Sequence, residues 1–595
     1  MSNGKKWTLI ANCNDTSLIK NWLSYDFSKY IGVPNQVIGK PVDVYANGKY
    51  MGNYLLCEKV EIKSNRIDVS DSYEALEIAN GSVDPTTGVV TPADFANLGV
   101  TSRVIDVNNS TVVDIDINLE LANSYSHAVG SRKYSCYREG TTLNPVYTNL
   151  NDPADLTGGY LYELEISNRW PDENAGFCGY NRQGWVIKSH DYASRHQVDY
   201  SYNLLYALGS SIYNDGVVPN RSTTTNCSGL SLVTIGIYGA RSITNPAPSI
   251  EYQGKKWSDL LDAKSAVTYY WTQEYFKNMD SSASSTYFFK DSDSVDSMLY
   301  AGPVWDMDNS IGYELSGSRW GYSWTSSDGW YTRNSRIYRW RAGDSSTSYN
   351  KDTQSPLSFY GALATNCDDF WDMAKDSWYE TVEPATKILT GSADDPTGTL
   401  KSVDEYVDTI ADSGRMERIR YQESDYDSEA IKSGIKNWLS SRAQWIDSQF
   451  GTLDISNASV SAVPDCSYTG SEIKPQLEVT YSNDVQGVQT LEEGVNYTLE
   501  YKNNVEVGTA VITINGIGRY AGSSKQITFN IVPADISSGS LTIYDAAYIG
   551  DEIVPTLLNS DGVEITGGVK YDWYSDSNKV FTGASYTCLL YTSPS

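Results

Sequence analysis

Apolar and polar residues alternate from Val42 to Val60 on both sides of Asn47-Gly48. This two-residue period, broken by Asn-Gly, predicts a β-hairpin with a type I′ turn, whose two central residues need positive φ. Ahead of it Leu18, Trp22 and Leu23 recur at helical steps behind Asp15, predicting a helix over 16–27 with that aspartate as N-cap. Alternation returns over 158–166, through Glu163 and Glu165, and briefly over 185–188; both strands are assigned to one central sheet. From 258 to 278 the period lengthens, with Val267, Tyr270, Trp271, Glu274 and Tyr275 three or four positions apart, so a helix is expected. A strand ending Tyr287-Phe-Phe-Lys290, a polar turn and a second apolar approach, Ala301-Gly-Pro-Val304, follow. More helices are expected over 355–450, the last carrying Trp438, Trp445 and Ile446 and stopping at Gly451.

Past Gly451 the grammar becomes all-β, with alternating runs at 497–501, 510–514 and 526–531 between Asn/Gly-rich turns. A small sandwich is expected over 456–534. Residues 538–595 read as a second β module that stops before a sandwich is complete, and 588–595 leave the strand pattern, as a truncated or artefactual end would. Residues 81–155, rich in Ser, Thr, Asn, Asp and Gly with short β-branched runs, read as a surface insertion with strands of its own.

Composition narrows the function classes. At 595 residues the chain is too long for one core, so two to four domains are expected. A net charge of −29 without a basic cluster argues against nucleic acid or an anionic membrane as partner, because both need Lys and Arg to displace counterions. No apolar run approaches the roughly 20 residues of a membrane span. The opening residues show no charged, apolar and cleavage-site regions in series, so no signal peptide is visible in this chain. The eight cysteines are scattered without metal-ligand spacing and read as buried thiols; His127, His190 and His196 are too few and dispersed for a zinc site.

The chemistry concentrates at 278–310. Asn278-Met-Asp280 stands on one side of the second hairpin and Trp305-Asp306-Met-Asp308 on the other. Two acidic stations flanking a hairpin suit phosphoryl transfer, where one carboxylate orients an attacking hydroxyl and another holds the magnesium on the phosphates.

The segments Lys6-Trp-Thr-Leu-Ile-Ala, Asn47-Gly-Lys-Tyr-Met-Gly-Asn-Tyr running to Glu58-Lys59-Val60, Gly158-Gly-Tyr-Leu-Tyr-Glu-Leu-Glu165, Asn278-Met-Asp280 and Gly302-Pro-Val-Trp-Asp306-Met-Asp308 occur in this order. Together they resemble the CotH-type kinase family, relatives of the bacterial spore-coat protein H kinase, over residues 5–450. The resemblance implies an α+β chain: an atypical protein-kinase-like catalytic domain over 1–453, followed by small all-β Ig-like sandwich modules. The modules are implied by residues 457–533, which resemble the Ig-like repeats of bacterial surface proteins. It also implies transfer of the ATP γ-phosphate to protein Ser or Thr with magnesium or manganese. By position Asp280 would be the catalytic aspartate and Asp306 the metal ligand, and Asp308, two residues on in a strand, would share the metal. Lys59, Glu165 and Lys188 would bind the nucleotide. An extracellular or cell-surface location is implied, with a protein substrate and cell-wall or matrix partners. Two departures stand out. Relatives carry an asparagine shortly after the catalytic aspartate, where this chain has Ser281 to Thr286, so a metal-facing side chain is absent or replaced by a hydroxyl. Relatives also begin with an Arg-Gly-Asn motif and a Lys-rich strand upstream of the residue that opens this chain, so an N-terminal part of the nucleotide pocket is expected to be missing.

Each site residue also has an ordinary reading. Asp280 alone would be a solvent-facing residue after a helix. Glu58 and Lys59 are adjacent on a strand and face opposite sides, and Lys59 equally fits an edge lysine that discourages aggregation. Glu163 and Glu165 share one face, which raises glycan hydrolysis, but carboxylates for that reaction face each other across the sugar, and an ion pair with Lys188 is an alternative. Asp291, Asp293 and Asp296 lack the glycine and distal glutamate of an EF-hand and read as an exposed turn. The competing overall reading is a catalytically inactive surface adhesin or scaffold built on a degenerate kinase fold.

Overall fold

The computed structural model describes residues 6–12, 15–92, 101–106, 111–116, 134–136, 138–139, 142–143, 151–165, 176–180, 183–189, 193–218, 250–281, 284–312, 326–337, 356–423, 425–483, 487–543, 551–575 and 577–587. The expectations for His127, His190 and the end at 588–595 lie outside them. The chain mixes helices and mainly antiparallel sheets and divides into two compact units, Met1–Gln449 and Phe450–Ser595.

The first unit opens with a three-stranded sheet in which Lys49–Glu58 lies between Trp7–Ile10 and Gly39–Ala46. Asn47 and Gly48 both adopt positive φ, as the hairpin reading requires. Asp15 accepts from the backbone N–H of Ser17 at 2.9 Å and of Lys20 at 2.8 Å, so it organises the turn that leads into the helix Lys20–Tyr30. The helix starts later than its pattern suggested.

The central sheet has five antiparallel strands in the order Gly176–Cys178, Gly184–Ser189, Tyr160–Leu164, Thr286–Lys290, Leu299–Val304. Tyr160–Leu164 and Thr286–Lys290 are buried at every position. Against this sheet lies the helix Ala263–Tyr275, N-capped by Asp262, which accepts from Ser265 N at 2.7 Å. The expected helix is present and is buried all round from Ser265 to Tyr275. Its polar residues tolerate burial by bonding within the helix: Thr268 Oγ1 donates to Lys264 O and Thr272 Oγ1 to Thr268 O. Phe27 stacks on Tyr275 and meets Phe276 edge-on, tying the first helix to this one.

The first unit also holds helices Ser72–Ala79, Arg195–Ile212, Phe359–Asn366, Asp368–Ser377, Glu383–Leu389, Val403–Tyr421 and Ser428–Gln449. Val403–Tyr421 holds the hairpin: Asn53 N donates to Glu417 at 2.5 Å, and Asn53 Nδ2 donates to Ser413 Oγ at 2.8 Å. Residues 81–155 contribute short strands, among them Thr101–Asp106, Thr111–Asp116 and Tyr134–Cys136 in one sheet.

The second unit begins with a three-stranded and a four-stranded sheet around Val479, Leu491, Ala510, Ile512, Ile514, Phe529 and Ile531. Beyond 538 the described residues form three two-stranded ladders. Among the described residues no helix is long and apolar enough to cross a membrane.

Candidate active site

The helix Ala263–Tyr275 is closed by Phe276, and Lys277 takes a left-handed φ of 50° that turns the chain into Asn278. Asn278 is 2% exposed and acts as a hub. Its Nδ2 donates to Gln273 Oε1 at 2.9 Å and to the carbonyl of Asp306 at 3.3 Å, and its Oδ1 accepts from the backbone N–H of Asp280 at 3.3 Å. Met279 N donates to Asn309 O, and Asn21 on the first helix accepts from Met307 N at 2.7 Å. These bonds fasten the Asp280 and Asp306 segments side by side.

The strand reading of 306–308 does not hold. The strand ends at Val304, Asp306 has a left-handed φ of 61°, and Met307 is fully buried. Asp306 and Asp308 therefore sit in a turn, and the same-face argument for Asp308 falls away. Both are half-buried, and both lie within electrostatic reach of the fully buried Tyr25 hydroxyl. Burial holds that phenol well above its ordinary value, with Cys57, Asp306 and Asp308 adding to the effect, so Tyr25 stays a protonated donor. Its ring stacks on Trp305 at 5.9 Å, and its hydroxyl lies against the Asp306 backbone without a hydrogen bond of regular geometry.

The serine-rich loop joins this corner to the central sheet. Ser285 Oγ donates to Asp306 Oδ2 at 3.1 Å, and Ser285 N donates to Glu163 Oε1 at 2.9 Å. Ser284 Oγ donates to Glu165 Oε2 at 3.3 Å. Glu163 in turn pairs with Lys188 at 3.3 Å, and Lys188 is the extra residue where the register shifts between Leu161 and Tyr162. One hydroxyl of this loop therefore meets Asp306. Glu163 and Glu165 are held from the loop side, 3% and 5% exposed, and do not face each other across a cleft as glycan hydrolysis requires.

Lys59 lies elsewhere. It is exposed, just past the strand that ends at buried Glu58, and lines a cavity of about 340 Å³ with Gln36, Ile38, Val60, Arg66 and Pro303. Gln36 joins this cavity to the acidic corner by donating to Val304 O at 3.0 Å and accepting from Val304 N at 2.8 Å. Val60 and Trp305 pack on the same small cluster of Ile62, Ile67, Leu161, Tyr287 and Phe289.

The structure thus brings Asp280, Asp306, Glu165 and Lys188 into one bonded network and puts Lys59 on a cavity wall beside it. Sequence reasoning missed Asn21, Tyr25 and the hub role of Asn278; the last was visible as the first residue of the Asn-Met-Asp run.

The family model described as CotH kinase protein matches residues 1–87. That stretch holds the hairpin and most of the cavity wall, including Lys59, and supports the CotH-type resemblance there. The acidic corner lies outside it. A search of curated proteins finds no match.

The donor set can be tested against a divalent cation. Among the described residues no three His, Cys, Asp or Glu side chains are grouped tightly enough to hold a metal alone. Magnesium is ordinarily bound by one or two carboxylates, with phosphate and water oxygens completing the shell. An all-oxygen corner with an oriented Asp306 carboxylate, Asp308 close by and a buried Tyr25 hydroxyl left without a regular partner fits that pattern.

Proposed function

We propose that this chain is a CotH-like atypical protein kinase, secreted or surface-associated, which transfers the γ-phosphate of ATP to protein Ser or Thr with magnesium or manganese. The observation that carries the reading is the Asn278 bridge, which binds the Asp280 amide and the Asp306 carbonyl and so holds two acidic stations in one corner. In this reading Asp280 orients the acceptor hydroxyl and takes its proton as the new O–P bond forms and the bond to ADP breaks. Asp306, with Asp308, holds the divalent cation, which when bound neutralises charge on the phosphates. Lys188 and Glu165 stand on the phosphate side, Lys188 already oriented by Glu163. The cavity carrying Lys59 has apolar walls from Ile38, Val60 and Ile67 with amides at Asn35, Gln36 and Asn65, a lining suited to a nucleoside.

The test is phosphate transfer by the full chain, from labelled Mg-ATP to itself and to casein-like acceptors, beside the Asp280→Ala and Asp306→Ala variants. Transfer lost in both variants is expected. No transfer by the parent chain overturns the reading.

The inactive scaffold is supported by a different observation, the all-β second unit, whose sheets around Ile512 and Ile531 resemble in sequence the Ig-like modules of surface proteins. It predicts binding to cell-wall or matrix material and no change in the melting temperature of the first unit with Mg-ATP.

A further inference from the structure

We infer that Ser285 is the positioning residue of the metal-facing carboxylate; the inference rests on the phosphoryl-transfer reading of the same site. Each polar group of Ser285 has a separate partner. Its N–H donates to Glu163 Oε1 at 2.9 Å, its carbonyl accepts from the Tyr269 hydroxyl at 3.4 Å, and its Oγ donates to Asp306 Oδ2 at 3.1 Å. The residue is 8% exposed and sits at a left-handed φ of 52°.

A non-glycine side chain at such a φ costs backbone energy, so the conformation is held by what surrounds it. Glu163 supplies one anchor, itself paired with Lys188 on the neighbouring strand. Fully buried Tyr269 supplies another from the central helix. With both backbone groups fixed, the hydroxyl has little freedom to leave Asp306. Asp306 is also left-handed, at 61°, past the end of its strand, so it lacks a strand ladder to orient it. A hydroxyl aligns a carboxylate through one donated hydrogen bond and brings no positive charge of its own to the metal-facing group. Partners of this kind around a metal ligand are worth tenfold to a hundredfold in metal affinity.

The backbone decides which substitutions are informative. Ser285→Gly keeps the left-handed turn and removes only the hydroxyl. Ser285→Asn tolerates the same φ and restores a donor, whereas β-branched threonine does not suit it. The experiment titrates the full chain with Mn²⁺ in the presence of a non-hydrolysable ATP analogue, following free Mn²⁺ by electron paramagnetic resonance, with thermal melts run in parallel. Expected are a Mn²⁺ affinity at least about tenfold weaker in Ser285→Gly, recovery to within about threefold in Ser285→Asn, and loss in Asp306→Asn. In phosphate transfer, Ser285→Gly should raise the Mg²⁺ concentration for half-maximal rate while kcat recovers at saturating Mg²⁺, a split that mere unfolding does not produce. If Asp306→Asn loses Mn²⁺ but Ser285→Gly binds within twofold of the parent, this inference falls and the kinase reading stands. If the parent and Asp306→Asn bind Mn²⁺ alike, or neither binds, the kinase reading falls and takes the inference with it.

Discussion

Two charged clusters flank the same stretch of chain in the first unit and are built on opposite rules. In one, Glu274 meets Arg442 at 2.6 Å with both side chains fully buried. Glu274 also accepts from the backbone of Tyr331 and Arg333, each at 2.8 Å, and Arg442 donates to the carbonyls of Ser327 and Gly329. In the other, Asp306 accepts from a serine hydroxyl and is half-buried, while Lys188 pairs with Glu163 in the sheet beside it. A carboxylate facing a guanidinium has its charge cancelled and serves the fold. Asp306, aligned by a neutral donor and half-buried, lies nearer solvent, and in the proposed reading that is where it serves chemistry.

Breaking the closed cluster should cost the fold most. Arg442→Ala leaves Glu274 buried without its cation and should destabilise the first unit by about 3–5 kcal/mol, read from urea unfolding. Asp306→Ala should instead lower phosphate transfer on the order of 1000-fold, about 4 kcal/mol of transition-state stabilisation, while leaving the unfolding midpoint nearly unchanged. A large fall in stability with that variant would mean the two clusters are alike after all.

A smaller effect concerns Lys277, which donates to the carbonyls of Ser326 and Asp328 next to the closed cluster. Burial, then the neighbouring Arg442, lowers its pKa from 10.5 to about 8. Between those values the unfolded chain still holds a proton that the folded chain has released, so stability rises with pH across that window. The stability of the parent relative to Lys277→Met should therefore increase from pH 8 to pH 10, as urea titrations at each pH would show; a flat difference contradicts the burial. Least costly is Ser402→Ala, which removes the capping box of Val403–Tyr421, far from both clusters in sequence. About 1 kcal/mol of stability should go, with Mn²⁺ affinity unchanged.

Much of this was legible in the residues themselves. The Asn47-Gly48 turn, the strands around Glu163 and Val186 and the helix before Asn278 were marked by period and punctuation, which are local properties of the chain. The second hairpin was legible too, although its Gly302-Pro303 step shifts the register. Less visible was the turn at Asp306. A run such as Val-Trp-Asp-Met-Asp reads as continuing strand, and it departs from one because Asn21 and Asn278, distant in sequence, capture its backbone. The burial of the helix Ala263–Tyr275 on every side was not legible either: its threonines and Gln273 satisfy themselves locally, so polarity did not mark an exposed face.

The sequence by itself determined the elements, the two acidic stations and the change of grammar after Gly451, because these depend on neighbours a few residues apart. Tertiary structure alone decided which partner each carboxylate meets. Glu274 and Asp306 look equally ordinary in the chain. Folding set an arginine from the last helix against the first and a serine hydroxyl against the second. The fate of a carboxylate depends on the charge and dielectric brought to it from far along the sequence.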